Sequence, residues 1–459
     1  MNHARNLALV TLTAVMLVSA RSPRAQVSVP FVGMGDSIGE GVQSGDASAV
    51  TQGLSFLNLM AWRMGADFPL PWIQTNFLGA VGSVDGRSRY DLSTRARNLA
   101  VSGADAASIL TDAATAVTPA DIDTETELVL YPETGSQIEI AERLRPQTIA
   151  VWIGNNDALG AALAFDQLDA TQLTPIPEFT ARFTELVDRI DALGSSAVFG
   201  TVPDISAIAF LANRQELIRF LGSDYGLPEG HLTSIAAMLL VRLGLENGSI
   251  FSDPSFVLDP AEQAIVSAHV DAINDVIRTT VAGHGMAVAD LHTTYRFLSA
   301  APFSFFGATL TTRFLGGIFS LDGVHPSNTG HGLAAYFFID ALNRHYGLAI
   351  PQIDGGVFTF LVNTDPHIDH DGDGRVPGRF GAGLLETLLS IVNISGDSNE
   401  ASAATPATSA WLSIDEAQSP RLRALNEYAR RTGKDLRTMS RHQRLDAVRA
   451  LFGITRRTR

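Results

Sequence analysis

The chain has 459 residues, 46% of them hydrophobic, and it contains no cysteine. Its formal net charge of −15 argues against a nucleic acid as the main partner, and the lack of cysteine excludes disulfides, thiolate metal sites and a cysteine nucleophile. A hydrophobic fraction of this size predicts one large domain with appendages.

The first 25 residues have the pattern of a secretory signal peptide. Arg5 precedes an apolar run from Leu7 to Val18, and small residues follow that run. The run is shorter than the roughly 20 apolar residues that a membrane-spanning helix needs, so a membrane anchor is the less favoured alternative. We expect cleavage after Ala20 or Ala25 and a secreted or periplasmic protein.

Between residues 29 and 350, short apolar runs alternate with helical patterns. The runs read VPFVGM, ARNLAVSG, TIAVWIG, SAVFGTV and MAVADL, and they are typical of buried parallel strands. PEFTARFTELVDRIDAL and AEQAIVSAHVDAINDVIRTTV carry apolar residues at helical spacing. The alternation predicts a parallel sheet with helices on both faces and functional residues at the carboxyl ends of its strands.

Two stretches depart from this alternation. Residues 207–262 look like an insertion and contain IAAMLLVRLGL, a helix apolar enough to act as a lid over a site. Residues 302–319 concentrate the phenylalanines Phe303, Phe305, Phe306, Phe314 and Phe319. An acyl pocket or lid and ordinary core packing are both open interpretations of these aromatic residues.

Residues 351–395 form an acidic, glycine-rich junction. Its DHDGDG motif supplies Asp369, Asp371 and Asp373, the first half of a calcium-binding loop. Phe380 stands where a complete EF-hand has its bidentate glutamate, which excludes that motif. A shortened calcium loop and a solvated acidic turn both remain open.

The last 64 residues read as a linker and a tail. Residues 396–412 are rich in small residues, which is typical of a mobile linker. Residues 413–459 carry 12 basic and 5 acidic residues and predict two helical segments. A solvated helical hairpin is the favoured interpretation, and peripheral contact with an anionic surface is the alternative.

The first strand ends in GMGDSIGEG, which places Ser37 directly after the strand. Hydrolysis of an ester by serine needs a nucleophile, an oriented base within hydrogen-bond reach, and donors that stabilise the oxyanion. Ser37 is the candidate nucleophile, and its own backbone N–H is a candidate oxyanion donor. A flexible turn is the structural alternative for this stretch.

Two further oxyanion donors follow the next two strands. Gly103 comes after the second strand in NLAVSGA, and a glycine there lets a substrate approach the main-chain N–H. Asn156 follows the third strand in VWIGNND, and its side-chain amide donates without carrying charge. Taken alone, such an asparagine is most often a helix cap.

The stretch LDGVHPSNTGHG supplies a base and a group to orient it. Asp322 and His325 are three residues apart, so a single turn places both side chains on one face. His325 is then the candidate base for the Ser37 proton, and Asp322 orients its imidazole. An isolated D-x-x-H usually belongs to a solvated loop, but all the fragments together, each after its own strand, favour a catalytic set.

These residues resemble the four blocks of the GDSL, or SGNH, hydrolase family over roughly residues 29–348. GMGDSIGEG is similar to the first block, NLAVSGA to the second, GNND to the third and DGVH to the last. The first block reads Asp-Ser-Ile instead of Asp-Ser-Leu, which is a mild hydrophobic change. Pro203, in GTVPDISAIAF after the fourth strand, resembles the lipase-like branch of the family.

The resemblance implies a three-layer α/β/α sandwich with a central parallel sheet, the flavodoxin-like SGNH hydrolase fold, followed by a C-terminal extension. It also implies a metal-independent serine mechanism, in which any calcium at the acidic junction has a structural role. The family's roles fall on Ser37, Gly103, Asn156 and His325, with Asp322 completing the triad.

The predicted function is a secreted esterase or lipase that acts on a small-molecule or lipid ester. A carbohydrate O-acetylesterase on the same fold and a catalytically inactive surface-binding module are the alternatives. The apolar stretches at 207–262 and 302–319 favour an acyl or lipid-like ester over a sugar acetate. The intact set of Ser37, Asp322 and His325 argues against the inactive module.

Overall fold

The computed structural model describes residues 31–75, 81–84, 86–164, 173–204, 208–242, 246–371, 376–378 and 440. The predicted signal peptide (1–25) and linker (396–412) lie outside the described residues, as does the basic tail (413–459) apart from Ser440. None of the helices in the described ranges is long and apolar enough to span a bilayer.

The regular elements follow one another in mixed order along the chain. The strands are β1 Phe31–Gly35, β2 Val42–Gln43, β3 Asp46–Ala47, β4 Ile73–Thr75, β5 Arg87–Arg89, β6 Thr148–Trp152, β7 Ser196–Gly200, β8 Leu211–Ala212, β9 Leu232–Ser234, β10 Val257–Leu258, β11 Ala287–Ala289, β12 Phe303–Phe305 and β13 Ala308–Leu310. The helices are α1 Ser37–Glu40, α2 Ala49–Gln52, α3 Phe56–Met64, α4 Ser108–Thr111, α5 Glu125–Leu130, α6 Gln137–Leu144, α7 Asn155–Ala164, α8 Ile176–Asp191, α9 Arg214–Leu221, α10 Ile235–Arg242, α11 Pro260–Gly283, α12 Leu291–Ser299, α13 Asn328–Tyr346 and α14 Gly355–Thr364.

The central sheet is parallel and has the strand order β1–β6–β7–β11. The predicted second strand, ARNLAVSG, is not a regular strand. Residues 97–101 nevertheless run parallel to the outer edge of β1, bonded to it by Gly33 N–H to Arg97 O (3.1 Å), Leu99 N–H to Gly33 O (2.8 Å) and Val101 N–H to Gly35 O (3.1 Å). The Asn98 side chain accepts from the Ala100 N–H at 3.2 Å, and such a local bond competes with a regular ladder.

With residues 97–101 counted as the second strand in chain order, the spatial order is 2-1-3-4-5, that of a flavodoxin-like sheet. In such a sheet, ligands bind outside the carboxyl ends of the strands at the point where the strand order reverses. Here that point lies between β1 and β6, the strands that precede Ser37 and Asn156.

Helices cover both faces of the sheet. On one face Trp152 of β6 contacts Phe56 of α3 and Phe338 of α13, with ring centroids 5.5 and 5.8 Å apart. On the other face Phe199 of β7 meets Phe183 of α8 at 5.7 Å, and α11 packs against α8. The apolar positions predicted for α8 are all buried. The predicted three-layer α/β/α fold with a central parallel sheet is therefore confirmed.

The insertion at 207–262 builds the antiparallel sheet β10–β9–β8 with α9 and α10. Its predicted lid helix is α10, whose residues from Ile235 to Leu240 are buried. The insertion also bonds to the loop that carries Asp322 and His325, because Phe210 N–H donates to Gly323 O at 2.8 Å.

The phenylalanines of residues 302–319 divide among three environments. Phe305, on the β12–β13 hairpin, packs on Phe358 of α14 at 4.9 Å, and Phe314 packs on Phe220 of α9 at 5.3 Å. Phe319 instead contacts Tyr295 of α12 at 5.8 Å. The described body continues past residue 350, since α14 packs against α13.

Candidate active site

Ser37 lies at the carboxyl edge of the sheet, where β1 turns directly into α1. The residue before it, Asp36, caps this helix: its Oδ1 accepts from Ile38 N–H at 3.0 Å, and its Oδ2 accepts from the Asn155 amide at 2.8 Å. Asp36 is buried, so these bonds hold the Ser37 turn against the start of α7.

The structure brings Ser37, His325 and Asp322 into one hydrogen-bonded line. The Ser37 Oγ lies 2.8 Å from His325 Nε2, and His325 Nδ1 lies 2.6 Å from Asp322 Oδ2. Because a carboxylate can only accept, Nδ1 carries the proton and Nε2 presents a lone pair to the serine hydroxyl. Proton transfer from serine to a general base requires this arrangement.

Asp322 is completely buried but well supplied with donors. Besides the imidazole, it accepts from the N–H groups of Gly45 (2.6 Å), Val324 (2.8 Å) and His325 (2.9 Å). Burial alone would raise its pKa, but the facing His325 imidazole and these hydrogen bonds hold the pKa below its usual value. Asp322 therefore stays ionised and can stabilise a protonated His325.

The β2–β3 hairpin, which lies near the other end of the domain in sequence, holds Asp322 and its loop in place. Ser44, at the tip, donates its N–H to Ser320 Oγ (2.8 Å) and accepts from Leu321 N–H through its own Oγ (3.1 Å). The adjacent Gly45 N–H is the donor to Asp322. Sequence reasoning missed this hairpin, because main-chain donors leave no side-chain signature.

The three predicted oxyanion donors lie close to one another in the fold. Among the described residues, the backbone N–H groups of Ser37 and Gly103 have no acceptor. Gly103 is exposed, has φ +80°, and leaves open space where a side chain would stand. The Asn156 amide donates to Ala104 O at 2.7 Å, which draws the Gly103 loop towards α7.

A cavity of about 40 Å³ opens beside the Ser37 side chain. Its polar lining comes from Asp36, Ser37, Asn155 and Asn156, whereas Gly103 is not part of the wall. The rest of the wall is apolar or aromatic: Ile38, Trp152, Leu159, Pro203, Ile208, Tyr295, Phe319, Val324 and Pro326. Phe319 is thus the member of the predicted phenylalanine set that reaches the cavity, and Ile208 is the contribution of the insertion.

Two buried carboxyls beside the site have raised pKa values. Burial raises the pKa of Asp36 to about 6, although the Asn155 and Ile38 hydrogen bonds oppose it. Burial also raises the pKa of Asp157 to about 7, against the bond from Ala106 N–H and with some repulsion from Asp36. Both groups are favoured as neutral acids at mildly acidic pH.

The raised pKa of Asp157 makes stability fall as pH rises. The carboxyl ionises near pH 4 in the unfolded chain but only near pH 7 in the folded protein. Between these pH values the folded state binds one more proton than the unfolded state, and the free energy of unfolding therefore falls as pH rises through this range. Three pKa units correspond to on the order of 4 kcal/mol. We expect Asp157→Asn to remove much of this decline in unfolding free energy, measured by urea unfolding from pH 4 to pH 8. Asp191→Asn, at an exposed position of α8, is the control and should keep the wild-type slope; an unchanged slope in Asp157→Asn would contradict the assignment.

The predicted calcium ligands cannot be assembled from the described residues. Asp369 and Asp371 lie within them, whereas Asp373 lies outside. Within the described ranges, no three His, Asp or Glu side chains are placed so that together they could hold a metal ion. The calcium loop therefore stays a prediction.

Comparison with known proteins gives matches among solved structures alone. No protein-family model and no curated protein matches the chain. Esterases, a lipase and a candidate SGNH hydrolase match by structure. The extracellular lipase of Streptomyces rimosus is 18% identical, with a TM-score of 0.35, over 69% of this chain and all of its own.

Two further matches have similar scores. A mutant of Axe2, an acetyl-xylooligosaccharide esterase from Geobacillus, is 12% identical, with a TM-score of 0.33, over 69% of this chain and 96% of its own. The candidate SGNH hydrolase from Slackia heliotrinireducens is 14% identical, with a TM-score of 0.31, over 69% and 99%.

Proposed function

We propose that this chain is a serine hydrolase of the SGNH type that cleaves carboxylic esters. The proposal rests on the hydrogen-bonded line of Ser37, His325 and Asp322, which ends at an apolar cavity. The four sequence blocks support it, because each lies at the carboxyl edge of the sheet or on the loop beside it. No cofactor takes part in the proposed chemistry, and we propose that residues 1–25 direct the enzyme to export.

The proposed reaction proceeds through an acyl-enzyme. The Ser37 oxygen attacks the ester carbonyl carbon while its proton passes to His325 Nε2, and the carbonyl oxygen becomes an oxyanion. The N–H groups of Ser37 and Gly103 and the Asn156 amide stabilise that oxyanion. His325 then gives the proton to the alcohol as the alcohol leaves. In the second half, water attacks the acyl carbon and gives a proton to His325 Nε2; the bond to Ser37 breaks, His325 returns the proton to the Ser37 oxygen, and the acid is released.

The cavity favours a short acyl group. Its volume is about 40 Å³, which is small for a ligand site. A cavity of this size fits short acyl chains such as acetyl to butyryl, and its apolar walls favour hydrocarbon over a charged chain.

A series of nitrophenyl esters of graded chain length tests the function and the cavity together. We expect wild-type kcat/KM to be highest from acetate to butyrate and to fall for longer chains. Phe319→Ala should move the optimum to longer chains because it removes a wall of the cavity. Phe314→Ala is the matched control, since it also removes a buried ring, at a comparable cost of about 3–5 kcal/mol, but packs on Phe220 away from the cavity.

Hydrolysis of no ester by the folded wild type would refute the proposed function. An unchanged chain-length optimum in Phe319→Ala would leave the function standing and refute the assigned acyl cavity.

A carbohydrate O-acetylesterase is the second candidate, since an acetyl group also fits this cavity. Cleavage of an acetylated oligosaccharide, with no turnover of butyrate esters, would favour that candidate.

A further inference from the structure

Glu40, the last residue of α1, is buried against the residue that precedes Gly103. Its side chain has no exposed surface. One carboxyl oxygen, Oε2, accepts from both the N–H (2.7 Å) and the Oγ–H (2.6 Å) of Ser102. The peptide bond after Ser102 carries the Gly103 N–H. The two hydrogen bonds to Glu40 therefore fix the residue that directly precedes this N–H donor.

Two more contacts dock α1 onto the same segment. The Asn98 amide donates to Gly39 O at 2.8 Å. A Cβ at Gly39 would stand 2.6 Å from the Ala100 Cβ, closer than side chains approach, so only glycine allows this spacing. The helix that begins with Ser37 and the loop that carries Gly103 therefore pack as one unit.

The Gly103 loop is held on both sides. Ser102 is bonded to Glu40 of α1, and Ala104 O accepts from the Asn156 amide of α7. Gly103 itself has no neighbour where a side chain would stand. The position of its N–H is thus set by the residues before and after it.

The burial of Glu40 costs stability. Its Oε1 has no hydrogen-bond partner among the described residues, and a buried unpaired oxygen is unfavourable. The nearby Arg87 offers partial compensation, but it is engaged by both oxygens of Glu125 and lies 4.0 Å from Asp46. Burial and the Glu125 charge raise the pKa of Glu40 to about 8.

We infer that Glu40 is a positioning residue of the oxyanion hole, which holds Ser102 so that the Gly103 N–H faces the ester oxygen bound at Ser37. The inference rests on the proposed serine-hydrolase function. Glu40 touches no substrate, and it acts through Ser102.

Glu40→Ala tests this role through transition-state stabilisation. We expect kcat to fall about 10–100-fold, somewhat less than the 10²–10³-fold loss when an oxyanion donor is removed outright, with KM within about threefold. A trifluoromethyl ketone of matching chain length adds the Ser37 oxygen and forms an oxyanion, while the serine proton passes to His325. Its Ki should rise by the same factor as kcat falls, because it mimics the transition state.

Matched variants separate positioning from a merely structural role. Glu40→Gln keeps an acceptor for Ser102 and should recover most of kcat. Glu216→Ala also removes a buried carboxyl with one unpaired oxygen among the described residues, but at the start of α9, and should change stability alone. Rates are expressed per active site, counted by fluorophosphonate labelling of Ser37.

The outcomes are distinguishable. A wild type that neither hydrolyses esters nor reacts with fluorophosphonate refutes the proposed function and this inference together. An active wild type, with kcat and Ki unchanged in Glu40→Ala, refutes the inference alone. If Glu40→Ala does not fold, Glu40→Met carries the test: it fills the same buried space but offers no oxygen acceptor to either Ser102 donor, and kcat and Ki equal to those of wild type would overturn the inference.

Discussion

Replacing Ser37 with alanine is expected to lower kcat for ester hydrolysis by about 10⁶-fold, as loss of the nucleophile does in a serine hydrolase whose triad acts as a unit. The structure gives the physical reason. The Ser37 Oγ stands 2.8 Å from His325 Nε2, and without it the imidazole has no hydroxyl from which to remove a proton. Steady-state hydrolysis of nitrophenyl butyrate measures the effect.

The control for this variant is a serine at the other edge of the same sheet. Ser195 precedes β7, at its amino end, and its Oγ donates to Pro146 O at 2.6 Å. Ser195→Ala should keep wild-type kcat and wild-type labelling by a fluorophosphonate, whereas Ser37→Ala should lose both. Equal hydrolysis by wild type and Ser37→Ala would show that another group is the nucleophile.

Much of the fold was predictable because its signals are local. Four of the predicted apolar runs are strands of the central sheet, and the helix of residues 176–191 buries the residues that its periodicity selects. Parallel strands bring their carboxyl ends to one edge, so residues that follow separate strands meet there. For this reason Ser37 and Asn156, 119 positions apart in the chain, line the same cavity.

The rest depends on tertiary contacts that a pattern of residue types does not encode. The support of Asp322 by the Gly45 N–H is a main-chain contact across 277 positions. The contact of Glu40 with Ser102 needs the close approach of α1 to residues 98–102, which is a consequence of the fold. The phenylalanines from 303 to 319 look alike in sequence, yet Phe319 reaches the cavity and Phe305 packs on α14.

The orientation of His325 is expected to depend on the charge of Asp322, and Asp322→Asn should lower kcat by about 10⁴-fold. The Oδ2 of Asp322 accepts from two N–H groups, those of Gly45 and the His325 ring, and Oδ1 accepts from two backbone N–H groups as well. Asparagine must place its NH₂ at one of these positions. The amide oxygen of asparagine can keep the two backbone N–H groups of Val324 and His325. The NH₂ then faces the imidazole ring, and Nδ1 must accept a hydrogen bond from it.

In that state the ring proton is on Nε2, the nitrogen that faces Ser37. A protonated Nε2 has no lone pair and cannot accept the serine proton. The variant should therefore lose kcat while KM stays near the wild-type value, because the cavity walls are untouched. Asp365→Asn is the matched control: Asp365 is also buried and accepts a backbone N–H, that of Thr329 at 2.7 Å, but it has no place in the proposed triad. If Asp322→Asn retained more than about a tenth of wild-type kcat, against the loss expected for a wrong tautomer, Asp322 would not be the group that orients His325.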